Sequence, residues 1–395
     1  MNVNLRRLLL VVFLLFLSQS LAAVLIPLEA TAIGLGASAV GLLVALPQVI
    51  GLVIDIPFAA WSDIVGRRLP VIVGSAAGAL AGLMFAAGDS LLVLGIAAFV
   101  LGISMSLSTG PSLAFVTEAA PPNDHARIQG FNGAIQGLST LTGATGAGIL
   151  VTAIGPRHSF WTLVAVLAAA SWIAVALREE ARPHIGSPLR LNTLAGRYRR
   201  VLELVRNEPA IRMAGSVSLL YQYQLMTLQN SFVPLYLVSD RHYSGAVVGL
   251  LLAARSLVGV MLSALFGGLF RRYGLVRLIV LSNVLGLGGV LLVVTVADPL
   301  ALMIAFALQG AGIAFGPATS NLLITSATSE DERGIGFSTV GLTARLGGIA
   351  FPVLLGVSAE AGGFNLMFVV AAVVGAATLG VMWVCTRSLG LLEDR

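Results

Sequence analysis

Ala59-Ala60-Trp61-Ser62-Asp63-Ile64-Val65-Gly66-Arg67-Arg68 sits between two long apolar runs, 39–60 and 69–87. An acid, a glycine and two arginines between runs of that length make a tight turn at a membrane surface. Glycine permits a positive φ, so the chain can reverse at once. The arginines hold the turn on the cytoplasmic side, because translocated loops avoid them. Asp63 falls where a helix ends, and the helix dipole does not favour an anion there. It needs a partner, either nearby arginines or the positive N-terminus of another helix. A turn whose acid needs such a partner is a candidate latch.

The composition agrees with a membrane setting. The chain is 57% hydrophobic and 10% charged, with mean hydropathy +0.96. Soluble domains carry about 25% charged residues. Every one of the 23 basic residues is an arginine, and the net charge is +5. The positive-inside rule accounts for that excess without a nucleic-acid partner. A single cysteine, Cys385, leaves no disulfide scaffold and no cysteine-based metal site. Arg6-Arg7 and the apolar run that follows to Ile26 are too long for a signal-peptide core and predict a retained first helix.

About 20 apolar residues cross a bilayer. Twelve runs qualify: 5–28, 38–61, 69–88, 91–117, 126–154, 158–177, 211–238, 244–270, 275–296, 299–327, 334–359 and 364–387. The expected fold is an all-α membrane protein with twelve transmembrane helices in two pseudo-symmetric six-helix bundles. The bundles are residues 1–177 and 211–395, and a cytoplasmic linker, 178–210, joins them. Its segment 197–206 predicts an amphipathic surface helix. Charge sorts the sides of the membrane. Arg157 and Arg241 fall in outer segments, Arg255 and Arg345 fall within spans, and every other arginine falls on the side of the N-terminus. That bias predicts both termini in the cytoplasm.

The halves repeat. Gly110-Pro111, Arg127, Gly130 and Phe131 recur 206 residues later as Gly316-Pro317, Arg333, Gly336 and Phe337. The opening turn recurs at an offset of 208, where Gly267 to Gly274 matches Ala59 to Gly66. Two parallel halves related by an axis along the membrane normal are a transporter architecture.

The turn from Ala59 to Arg68 resembles the loop signature of the major facilitator superfamily, glycine-x-x-x-aspartate-x-x-glycine-arginine-arginine. Asp63, Gly66, Arg67 and Arg68 match, while Ala59 and Ile64 depart from it. The twelve-span plan extends the resemblance over the whole chain. In that family the aspartate meets the cytoplasmic start of the eleventh helix, so Asp63 is expected to face residues 334–337, with Arg127 and Arg333 at the matching inner ends. The second copy carries Arg271 in place of the acid, so only the first latch is expected intact. Among branches, the chain looks like a divergent member of the drug and metabolite:proton antiporters. Ala98 stands where those exporters usually carry an arginine four residues before a glycine, here Gly102. Gly143-Ala144-Thr145-Gly146-Ala147-Gly148 keeps only part of their fifth-helix motif. Glycines in such a helix also serve close packing alone.

A charge at bilayer depth costs at least ~2.5–3.5 kcal/mol on insertion scales, so it pairs or faces water. Asp55 lies eight residues before Asp63, roughly 12 Å deeper at 1.5 Å per residue. Gln48, seven residues earlier, shares its face. Arg345 lies midway along the eleventh span, and the resemblance sets helix 2 against helix 11. Asp55 and Arg345 are therefore a candidate ion pair between the halves. It either couples proton binding to the cycle or permanently fixes helix register. Arg255, in the eighth span, has no acidic partner in its own helix and serves either a substrate anion or a structural role. The family lines its cavity with helices 1, 4, 7 and 10. Candidate cavity residues are Gln19, Gln48, Gln136, Gln222, Gln229, Arg255, Gln309 and Asn321. Seven-residue spacing in an α-helix puts Gln222 and Gln229 on one face, near Met226 and Tyr236. Glu29 and Glu360 read as solvated helix ends. Glu118 and Asp124 flank Arg127 at an inner loop, where ion pairing is expected.

No nucleophile–base pair, paired acids at depth or metal cluster appears. His125, His158, His184 and His242 all fall in loops. An enzyme is set aside, and neither cofactor nor metal is expected. The expected function is secondary active transport by alternating access, as proton-coupled export of small amphipathic molecules, anionic ones included. The expected partners are a small-molecule substrate, protons and the lipid bilayer, for a monomer in a bacterial inner membrane. Alternatives are import of an organic anion or sugar, lysolipid flipping and, more distantly, a channel or non-transporting receptor.

Overall fold

The computed structural model describes residues 3–119, 125–178, 191–328 and 333–388, and every regular element among them is helical. In the first half these are α1 (Val3–Ala32), α2 (Ala37–Val65), α3 (Arg68–Ala87), α4 (Leu91–Glu118) and α5 (His125–Val175). Next come α6 (Leu191–Asn207), α7 (Pro209–Tyr221), a π-helix (Gln222–Phe232) and α8 (Val233–Ser239). The remainder is α9 (Gly245–Ala264), α10 (Phe266–Tyr273), α11 (Leu275–Thr295), α12 (Pro299–Ile313), α13 (Gly316–Ala327) and α14 (Arg333–Ser388).

Among the described residues, nine stretches are long and apolar enough to cross a membrane. Two of them are double. α5 breaks at Gly155, where φ is 80°, and α14 breaks at Gly362 and Gly363. α7, the π-helix and α8 run end to end as one further crossing. The total is the twelve spans expected, and the large apolar side chains on their outer faces, such as Leu92, Trp172 and Val384, are exposed.

The turns carry the internal repeat more plainly than the sequence does. Six described residues have positive φ: Gly34, Gly66, Gly155, His242, Gly274 and Gly363. They form three pairs, Gly34 with His242, Gly66 with Gly274, and Gly155 with Gly363, each 208 residues apart. Each half therefore reverses direction with left-handed residues at the same three places. Only His242 pays the Cβ strain that glycine avoids there.

The chain divides into two compact units. Unit 1 is Met1–Leu191 with His242–Leu250, and unit 2 is Asn192–Arg241 with Leu251–Arg395. In unit 1, α1 packs on α5, and α3 packs on α4 and α5. Residues 242–250 join this unit because a Cβ on Gly148 of α5 would collide with the Gly245 carbonyl and the Gly249 backbone. In unit 2, α11 packs on α12, and α7 packs on α13 and α14.

Arg157 and Arg241, the exceptions to the charge bias, both close helix ends. Arg157 donates to the carbonyls of Ala86 and Ala87 at 3.0 and 2.8 Å, at the end of α3. Arg241 donates to Val294 O at 2.7 Å, at the end of α11. The last carbonyls of a helix lack internal partners and carry the negative end of its dipole, so a guanidinium suits them.

Spans 8 and 10 are not continuous as their apolar runs predict. α9 yields to α10 at Leu265, and α12 yields to α13 around Ala314. The interruptions pack together. Ser263 Oγ donates to the freed Ala314 carbonyl at 2.7 Å, and the Phe266 and Phe315 rings lie 5.8 Å apart. The linker helix predicted over 197–206 is found as α6. Its Val201 and Leu204 are buried, and Glu203 pairs with Arg199 and Arg200.

Candidate functional site

The seventh span carries the densest buried polar chemistry in unit 2. Its middle winds as a π-helix, with hydrogen bonds reaching one residue further back than in an α-helix, a geometry frequent at functional sites. Ser231 Oγ follows the same wide turn and donates to Met226 O at 2.9 Å. Gln224, Thr227, Gln229, Asn230 and Ser231 are all buried on this stretch.

Gln224 Nε2 donates to Asn283 Oδ1 of α11 at 2.9 Å. Its amide oxygen lies between Gly286 of α11 and Gly312 of α12, where any Cβ would displace it. These glycines let two backbones approach closely enough to enclose an amide. Gln309 of α12 is fully buried and donates to Gly289 O at 3.4 Å. Neither amide atom of Gln229 has a hydrogen-bond partner among the described residues, nor has Gln309 Oε1 or Thr227 Oγ1.

Arg255 of α9 stands beside this stretch at 0% exposure, the largest fully buried side chain described. Its Nη1 donates to Asn230 Oδ1 at 2.8 Å, while Nε and Nη2 have no partner among the described residues. No described acid forms an ion pair with it. Burying a charge without a counter-ion is costly and marks a group kept for some purpose other than stability.

Among the expected cavity residues, Gln229, Gln309 and Arg255 are fully buried, all in unit 2. Gln222 is only half-buried. The shared face expected for Gln222 and Gln229 is corrected: the wider π turn does not return to one face after seven residues. Asn321 is exposed on α13, and Gln136 is half-buried on α5. Gln19 donates to Thr109 Oγ1 at 2.8 Å and ties α1 to α4 within unit 1. Gln48 and Asp55 of α2 and Arg345 of α14 are half-buried, and none of the three is free. Asn230, Gln224 and Asn283 are the additions that sequence reasoning did not select. The signal for them was the amide density of 222–230 and an asparagine in the middle of an apolar span.

At the turn between α2 and α3, Gly66 has φ 92°, as a chain reversal requires. Arg67 pairs with Glu118 at 3.1 Å, and Arg68 donates to the Val175 carbonyl at the end of α5. The side chains of Asp63, Arg127 and Arg333 lie outside those described, as do Asp124 and Gly334, so the expected latch and the Asp124 pairing fall there too. Glu29 is a correction. It is 2% exposed rather than solvated, because α1 runs on to Ala32 and packs Leu28, Glu29 and Ala30 inward, with Arg157 and His158 acting on the carboxylate. Glu360 is exposed, as expected of a helix end.

A profile described as Major Facilitator Superfamily matches residues 8–228 and 216–390. The chain belongs to the major facilitator superfamily. It is an integral membrane transporter of small molecules and not an enzyme. No curated protein matches the sequence. Among solved structures, a point mutant of the nucleoside transporter NupG matches with TM-score 0.78 at 12% identity, covering 97% of this chain and 99% of that one. NupG itself matches with TM-score 0.74 at 14% identity over the full length of both chains. A bacterial homolog of the human lysosomal transporter Spinster, inward-facing and unoccupied, matches with TM-score 0.73 at 16% identity, covering 99% of this chain and 98% of that one. At these identities the likeness is one of fold alone; alternating access is implied by membership of the superfamily.

Proposed function

We propose that this transporter is a proton-coupled exporter of small amphipathic molecules with an anionic group. It would act as a monomer in a bacterial inner membrane with both termini in the cytoplasm. The observation that carries the anionic part is the fully buried Arg255, which has two donors without partners and no acid paired with it among the described residues. A lone buried guanidinium selects negative charge and repels cations. Export follows from the partial exporter motifs around Gly102 and Gly143–Gly148.

Proton coupling rests on Asp55, an acid inside the second span, with Arg345 as its partner in the other half. Protonating Asp55 would neutralise one member of that pair and release the other. The six-helix divisions at 1–177 and 211–395 are the bodies that would move, and Asp63, Gly66, Arg67, Arg68, Arg127 and Arg333 would time their inner closure.

The test is flux in proteoliposomes with an imposed pH gradient. The wild type is expected to move substrate against the proton gradient, with saturation and counterflow. Asp55→Asn is expected to lose gradient-driven transport by about tenfold or more, the loss of roughly 1.4 kcal/mol of coupling, while substrate exchange persists. Full activity of Asp55→Asn with an unchanged pH dependence would sink the coupling role. A second reading, import of an organic anion or sugar, draws on the Gln229 amide and the Gln309 amide oxygen, which have no partner among the described residues and suit hydroxyl-rich cargo. Uptake down the proton gradient in the same vesicles would favour it. The nucleoside cargo named for NupG is not carried over at 12% identity.

A further inference from the structure

The Arg255 guanidinium is hydrogen-bonded at one nitrogen only among the described residues. Asn230 Oδ1 occupies Nη1, while Nε and Nη2 remain unbonded among the described residues. Those two nitrogens form one edge of the planar fork, with parallel N–H bonds. That edge matches the two oxygens of a carboxylate, which it takes in a bidentate grip.

Asn230 is oriented as well as placed. A guanidinium only donates, so the amide must turn its oxygen towards it. The other end of the amide, Nδ2, contacts Met226 Sδ at 3.8 Å. Asn230 lies within the π-helical stretch. The guanidinium is thus held at one corner with its side edge left over.

Charge narrows the ligand further. Arg255 supplies one positive charge in a fully buried position. A monoanion balances it, whereas a dianionic phosphate leaves uncompensated charge out of water, at a cost of several kcal/mol by desolvation. We infer that the Nε–Nη2 edge of Arg255 binds a carboxylate of the transported molecule, and that Asn230 is the positioning residue that reserves this edge. The inference rests on the anionic-cargo reading above and narrows it from anion to monocarboxylate.

The experiment titrates the full-length purified protein with octanoate, octanol and octyl phosphate and follows the melting temperature. Octanoate is expected to stabilise the wild type, octanol to have no effect, and octyl phosphate to bind at least about tenfold more weakly, as a site matched to a bidentate monoanion requires. Arg255→Lys keeps the charge but loses the fork, so its octanoate affinity should fall by about tenfold or more. Asn230→Ala frees Nη1, so the preference for carboxylate over phosphate should fall towards one. Should Arg255→Lys fail to fold, Asn230→Asp is the second variant; its carboxylate would neutralise Arg255 and abolish octanoate binding. Equal response to octanoate and octanol overturns the inference, as does wild-type affinity in Arg255→Lys or in Asn230→Asp. No response to any monocarboxylate from butanoate to dodecanoate also overturns it. An unchanged carboxylate preference in Asn230→Ala overturns the positioning role. A wild type that binds octanoate through Arg255 but ignores a pH gradient removes proton coupling and leaves this inference standing. Proton-driven flux without carboxylate preference does the reverse.

Discussion

Arg255→Met is expected to abolish transport of anionic substrate and, at the same time, to raise the unfolding temperature of the purified protein. The two effects have one origin. Among the described residues, the fully buried Arg255 holds a single hydrogen bond, to Asn230, and has two donors without partners. Replacing buried charge by an apolar side chain of similar volume often stabilises a protein, by about 1–4 kcal/mol. The orphaned Asn230 oxygen offsets part of that, since a lost partner costs about 1–3 kcal/mol. Arg255→Met combined with Asn230→Leu removes both polar groups and is expected to melt higher than either single variant. The measurements are thermal unfolding and proteoliposome flux on the same preparations. A variant that melts lower while still transporting would mean that Arg255 is structural.

Gly312→Leu is expected to cause a large loss of stability in unit 2. A Cβ there would fall on the Cα of Gly286 and lie 2.9 Å from both Gly286 N and Gln224 Oε1. The first obstacle is backbone, so no rotamer change relieves it. α11 and α12 must separate, and the Gln224–Asn283 bond goes with them. Overpacking a tight core costs about 1–3 kcal/mol, and the lost buried bond adds about 1–3 kcal/mol. Gly288→Leu is the control, because nothing lies within 4 Å of a Cβ at Gly288. Near-equal melting of the two variants would contradict the close approach of these helices.

The crossings were legible because length and apolarity decide them. The reversal at Gly66 was legible because two long runs met at a glycine. The linker helix showed in the spacing of its apolar residues, and only its start, six residues earlier at Leu191, was missed. What stayed hidden depends on neighbours distant in sequence. A period of 3.6 was assumed for span 7, and nothing local announces the π winding that moves Gln222 away from Gln229. That winding accompanies an amide enclosed by Gly286 and Gly312, on two other helices. The interruptions at Leu265 and Ala314 stay hidden for the same reason, since the carbonyl freed at Ala314 is satisfied by Ser263 of α9. Glu29 was misjudged because position along a helix says little about which side of it packs. Arg255 was picked out by its charge, but its companion Asn230 was passed over as one amide among several.

The three pairs of left-handed turns bear on ancestry. A chain made by doubling a six-span unit inherits each of its corners twice, and the copies then drift apart. Here the corner at Gly34 reappears at His242 with its positive φ, though without the glycine that makes it easy. Two of the three pairs keep glycine in both halves, and in the third the positive φ outlasts it. The fossil of the duplication is therefore kept in the path of the main chain, where relatives too distant to align by residue remain comparable.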